Sequence, residues 1–299
     1  MGVLTATIGC GNYSNEDLEF TAALPERADL TAEIPVRSAI VGVEAELYRM
    51  SRDTALIFNG FSGALLRLVD TFRALPPTKR EPDLRVWGPF APKDQPGWVA
   101  EMVMQRKDIA TFAYSLEFRP ATSSSAADWI PLFSGTYAVA DGVRRGVGHI
   151  HVDTAPLHAA GVDPGLMNLD HLTVDYTTAT FPITVDLDFA NLPDPAKPGD
   201  PASGVYSYAM QSNGQGALSY DFTGNIIPGL AGLDTVEVTA RWLGSGEGRA
   251  DLQVIMGDAL GAQETQCWDN RFQAVYTYKP WAPLESVGTT ADCPAIPTL

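Results

Sequence analysis

No run of eighteen apolar residues occurs anywhere in the 299-residue chain, about the length a helix needs to cross bilayer hydrocarbon. The nearest stretch, Ala55 to Leu75, is interrupted by Asn59, Arg67, Asp70 and Arg73. Positive charge is also scarce. Twenty Lys and Arg face 36 Asp and Glu, a formal net charge of −16. The densest basic spots, Lys79-Arg80 and Arg144-Arg145, are only dipeptides. So acidic a chain is repelled by phosphate backbones and anionic headgroups, which excludes nucleic acid as a partner. Histidine is limited to four residues and cysteine to three.

Three is an odd count, so at most one intramolecular disulfide forms and one thiol is left over. Cys267 and Cys293 share the C-terminal end, in Thr265-Gln266-Cys267-Trp268 and Asp292-Cys293-Pro294. They read either as a disulfide or as two separate thiols. Exposed thiols are a liability in an oxidising compartment, which favours the disulfide. Closing that loop contributes about 3 kcal/mol. Cys10 is then the odd thiol.

What is present is apolar residue, 45% of the chain, enough for a sizeable core. Ser14 followed by Asp17 forms a capping-box start, with Tyr13 placed to staple onto Leu18, and Pro25 ends this short helix. Val36, Ile40, Val43, Leu47 and Met50 recur at helical spacing. A second helical pattern runs from about Asp53 to Leu75 and stops at Pro76-Pro77, with a stripe broad enough to need extensive cover.

Beyond Pro77 the period changes to two. Phe112, Tyr114, Leu116 and Phe118 oppose Thr111, Ala113, Ser115 and Glu117; Ile183, Val185, Leu187 and Phe189 oppose Thr184, Asp186 and Asp188. Val236, Val238, Ala240 and Trp242 repeat the pattern, and about a dozen such runs lie between 84 and 279. Gly146-Val147-Gly148, Gly214-Gln215-Gly216 and Gly246-Glu247-Gly248 each open a strand and read as hairpin turns, since no third glycine or helix follows. Pro193 to Pro201 reads as a long exposed loop, the best internal boundary, with alike strands on both sides.

The expected fold is mainly β with N-terminal helices: a large curved antiparallel sheet, a half-barrel of about a dozen strands, around one or two amphipathic helices. Residues 14–299 form one domain, with a helical part over 14–77, a β part over 84–279 and a disulfide-tied tail over 280–299. A transmembrane barrel also alternates, but the helical front needs burial and the chain's last residues, Pro297-Thr298-Leu299, are not a strand with a terminal aromatic.

The start, Val3-Leu4-Thr5-Ala6-Thr7-Ile8-Gly9-Cys10-Gly11, resembles the end of a bacterial lipoprotein signal, with an apolar run and small residues before a cysteine. Thr7 stands where that family usually has Leu, and no positively charged start precedes the run. N-myristoylation is disfavoured, because position six is Ala6. The resemblance implies residues 1–13 as signal remnant and anchor, lipid on Cys10, and a protein of the bacterial envelope, anchored in the outer membrane and facing periplasm or surface. In outline the half-barrel resembles the periplasmic lipoprotein carrier and lipid-binding lipoproteins.

Chemistry is thin. His149, His151 and Asp153 alternate on one strand and share a face, the beginning of a zinc or other divalent-metal site that His158, Asp170 or His171 would complete. Ile150 and Val152 take the core side, so the histidine face is also simply the solvated one. Gly60-Phe61-Ser62-Gly63-Ala64 falls in a helix pattern and lacks the strand-turn-helix context of a nucleophile elbow. Asp186 and Asp188 read as surface charge. No catalytic residue and no cofactor emerge. The expectation is a non-enzymatic, membrane-anchored scaffold or complex subunit with other envelope proteins as partners. The alternatives are a carrier of a lipid or other hydrophobic ligand, and a metal-dependent enzyme on the His149/His151/Asp153 strand.

Overall fold

The computed structural model describes residues 14–36, 43–140, 145–163, 169–194, 197–224 and 234–299. Fourteen strands form one antiparallel sheet in strict sequence order: β1 Lys79–Glu81, β2 Leu84–Phe90, β3 Trp98–Arg106, β4 Thr111–Pro120, β5 Ile130–Val139, β6 Gly146–Asp153, β7 His171–Thr177, β8 Ile183–Asp194, β9 Lys197–Met210, β10 Gly216–Gly224, β11 Asp234–Trp242, β12 Gly248–Met256, β13 Gln263–Trp268 and β14 Ala274–Tyr278. The sheet does not close on itself. Helices α1 Asn15–Ala22 and α2 Glu46–Arg73 precede it, and α3 Ala155–Ala159 interrupts it.

The period-2 pattern sets the register. One inner row reads Phe112, Tyr137, Gly148, Tyr176, Val185, Tyr208, Leu218, Ala240 across eight strands. Its glycine is not a gap. A Cβ on Gly148 would stand 2.0 Å from the Tyr176 ring, because that ring lies flat over the glycine. Gly135 lies likewise under Tyr114, Gly216 under Trp242 and Gly248 under Trp268. The Gly-x-Gly pairs at 214–216 and 246–248 therefore have two jobs. Gly214 and Gly246 take positive φ in the turn, and the second glycine receives an indole.

α2 is the chord of this arc. Tyr48 at its start packs between Trp268 and Phe272, Phe58 at its middle on Phe189 of β8 and Tyr206 of β9, and Phe72 near its end on Phe90 of β2. Tyr48 to Phe72 is about 36 Å of helix. β2 to β13 is eleven strand spacings, about 53 Å along the sheet. One straight helix reaches both only if the sheet curls round it, which is the half-barrel.

The expected first helix over 36–50 and second over 53–75 are one helix beginning at Glu46. Nothing at Ser51 to Thr54 breaks it, and Gly60 and Gly63 are absorbed in its interior. Val36 and Val43 are exposed coil residues, while Ile40 lies outside the described residues. Among the described helices α2 alone has the length and apolar composition to cross a membrane; here its apolar stripe is seated in the sheet.

α1 begins as its capping box requires: Asp17 N donates to Ser14 Oγ (3.1 Å) and Ser14 N to Asp17 Oδ2 (2.9 Å). Tyr13 lies outside the described residues and Leu18 is exposed, so no staple is described. Asp17 is wholly buried, and Arg85 Nε donates to its Oδ1 (2.6 Å), Arg80 Nε to its Oδ2 (3.1 Å). The guanidinium groups of Arg85 and Arg106 both lie over the Phe20 ring, at 4.6 and 5.1 Å. From α1 the chain crosses the concave face as a strap whose backbone is satisfied by side chains. Asn59 pairs with both polar groups of Ala32 (2.8 and 2.9 Å), Glu33 N donates to the Tyr208 hydroxyl (2.9 Å), and the Tyr48 hydroxyl donates to Pro35 O (2.7 Å).

Two expectations change. The described part of 193–201 is strand, not open loop: β8 runs to Asp194 and β9 starts at Lys197, with an irregular register, Leu192 opposite Ala202 and Asp194 opposite Lys197. Proline is tolerated where a strand bulges and no ladder N–H is needed. And β1 and β13 were not among the dozen runs. β1 is three exposed charged residues, which blunt that edge of the sheet. At the other edge, Thr277 and Val287 exchange backbone bonds and Glu44 bridges Gln273, so β14 is covered as well.

Candidate functional sites

Cys10 and the lipoprotein-like residues around it lie outside the described residues. The structure describes the chain from Ser14, where α1 is already pinned to β2 through Asp17 and Arg85.

Cys267 and Cys293 are bonded, with Cα atoms 5.3 Å apart. Cys267 ends up wholly buried on β13, Cys293 half-buried in the tail. After β14 the tail turns back along the sheet edge and over the outer face, where Gln215 Nε2 donates to Pro297 O (3.1 Å). Thr298 and Leu299 border an open groove of about 480 Å³ whose floor includes Thr184, Ser207, Ala209 and Thr239 of β8, β9 and β11. A second open groove of about 380 Å³ lies over β3 to β6, lined by Gln105, Ser115, Ser134, Thr136 and His149.

The outer face also carries the histidines. One row reads Thr136, His149, Asp175, Asp186, Ser207, Ser219, Thr239, Asp251. His149 Nδ1 stands 2.7 Å from Asp175 Oδ1 and His151 Nδ1 3.4 Å from Thr173 Oγ1, while Asp153 Oδ1 accepts from Ala155 N (3.1 Å). His171 Nε2 lies 3.9 Å from Asp188. His149, His151 and Asp153 thus share the face their spacing demands, but each is engaged with a different neighbour. Among the described residues no three His, Cys, Asp or Glu side chains converge as a metal shell. Asp186 and Asp188 are exposed on the same face. Ser62 is inside α2, its hydroxyl on Asn59 O (3.2 Å).

The described part of the inner face is packed against strap and helix. Between strap, α2 and β7 to β9 lies a void of about 10 Å³, lined by Leu30, Phe58, Leu65, Val174, Leu187 and Tyr206, room for one water at most. Burial pushes the phenols of Tyr208 and Tyr220 up to about 12 and raises those of Tyr114, Tyr176 and Tyr206 further.

Sequence reading missed a polar cluster at the β13–β14 end. Gln266 Oε1 accepts from Leu47 N (2.9 Å), capping α2 from 219 residues away, and Gln266 Nε2 donates to Thr277 Oγ1 (3.2 Å). Beside them Lys279 Nζ is ringed by Glu285 (3.0 Å), Glu46 and Glu264 (both 3.5 Å). Burial raises the Glu264 carboxyl against the pull of Lys279. The available signal was Gln263-Glu264-Thr265-Gln266, four polar residues directly before Cys267-Trp268.

No family model, curated protein or solved structure matches this chain.

Proposed function

We propose that the chain is a non-enzymatic envelope lipoprotein, anchored through Cys10, whose self-filled half-barrel serves as a scaffold or complex subunit. The observation that carries this reading is the interior. A carrier needs space for its cargo, several hundred Å³ for an ordinary ligand, and the void described between strap, α2 and β7 to β9 is about 10 Å³. Its own helix and strap occupy the place a ligand would take. The surface left for contacts is the outer face, with its ordered rows of Ser, Thr, Asp and His. The anchoring half of the reading rests on Ile8-Gly9-Cys10 and on Ser14, four residues later, capping helix α1.

Native mass spectrometry of protein taken from its own envelope tests both halves. The expected species carries acyl mass on Cys10, holds no apolar ligand and retains stable protein partners. A mature N-terminus at Met1 without lipid removes the anchor. A stoichiometric lipid inside the body removes the scaffold.

A further inference from the structure

The tail holds its place by few contacts. No residue from Pro280 to Leu299 is buried. It is tied to the sheet edge by the Thr277–Val287 backbone pair (2.9 and 3.1 Å), by Gly288 pressed on the Val275 carbonyl, and by Lys279 with Ser286 and Glu285. They are few and lie at the sheet edge, where a native protein opens first. Beyond Thr289 the bond between Cys293 and Cys267 is the covalent tie, followed by the Gln215–Pro297 hydrogen bond. At the far end of this reach Thr298 and Leu299 border the outer groove over β8 to β11. One half of the bond is sealed in the sheet and the other sits in a surface segment.

We propose that residues 280–299 are a thiol-operated latch over the β14 edge, reaching the rim of the outer groove. An external dithiol opens it. Its thiolate attacks Sγ of Cys293, the half-buried residue of the pair, forming a mixed disulfide and expelling the Cys267 thiolate, which takes up a proton. The second thiol of the same reductant then attacks the mixed disulfide and leaves as the oxidised cyclic disulfide, and Cys293 becomes a free thiol. Two electrons and two protons pass to the protein. The freed tail withdraws from the groove rim it forms with Thr298 and Leu299, and Thr277 loses its backbone partner Val287 on the sheet edge. Cys267 stays buried on β13, so the half-barrel remains whole. The latch does not depend on the anchoring of Cys10.

Hydrogen exchange of the full chain, with and without dithiothreitol under native conditions, reads this directly, the two-hydrogen mass gain confirming reduction. Reduction is expected to speed exchange at the Thr277, Glu285, Val287 and Cys293 amides at least tenfold while Val236 and Val238 on β11 keep their protection. The Cys293→Ser chain is expected to show the open pattern without reductant. Unchanged tail protection after confirmed reduction overturns the latch. So does loss of protection in β10 to β12 together with the tail, or failure of Cys293→Ser to fold, since either makes the bond a support of the whole sheet.

Discussion

The buried carboxylate of Asp17 makes the folded protein sensitive to acid in a calculable way. Burial by itself raises its pKa, but the Ser14 N–H, then Arg85 and Arg80, more than reverse this and hold it at about 2, against an ordinary 3.8. Each tenfold change in proton affinity is worth about 1.4 kcal/mol, so the ionised form contributes about 2 kcal/mol to stability. The pKa is lowered on folding. The contribution is therefore complete above the unfolded value near 4 and is lost as pH falls through the folded value near 2. Asp17→Asn keeps the shape and removes the charge. It is expected to cost about 2 kcal/mol at neutral pH, less than the ~3–5 of an orphaned buried ion, because Arg85 retains Glu16 at 2.9 Å. Urea denaturation of both chains from pH 7 down to pH 2 measures the gap. It should hold to about pH 4 and close toward pH 2, where a protonated Asp17 and an asparagine are alike. Screening between the buried Asp17 and Arg85 is weak, so added salt should remove only the smaller share owed to the exposed Arg80. A gap that is the same at every pH, or absent at neutral pH, refutes the reasoning.

Phe58→Ala should cost about 3–5 kcal/mol and open a dry cavity beside the present void, so that the variant binds benzene where the native protein does not; benzene binding by the native chain would contradict the filled interior. Gly148→Ala places a methyl against the Tyr176 ring and should cost about 1–3 kcal/mol, with most of that penalty vanishing in a Tyr176→Leu background when the double-mutant cycle is measured by denaturation. Phenols raised by burial support the fold below an ordinary value of 10.0 and withdraw that support as pH climbs toward about 12; ultraviolet titration should show Tyr114, Tyr176, Tyr206, Tyr208 and Tyr220 ionising only with unfolding, and their ionisation near 10 in the native state would be the contrary result.

Much of the architecture is local and was therefore legible. Alternation at 110–118, 183–189 and 235–242 reports which face each strand buries, since adjacent side chains of a strand point oppositely. The Ser14–Asp17 capping box is a contact between neighbours, and cysteine parity with a shared location favoured the bond between Cys267 and Cys293. Other features depend on partners far along the chain. The start of α2 has no local cap at Ala45; Gln266 supplies it, so periodicity alone divided one helix in two. β13 escaped notice because its inward residues, Glu264 and Gln266, are polar and buried only by virtue of Lys279, Thr277 and the helix terminus. The histidine face was read correctly as a face, but which neighbour each side chain meets is set by register with β7. Sequence by itself determined the strand periods and the acidic charge, because these follow from neighbours and composition, and it favoured the bond between Cys267 and Cys293 that the structure shows. Only the tertiary structure decided that the concave face is filled from within, because that depends on a 28-residue helix being the right length to span a curled sheet.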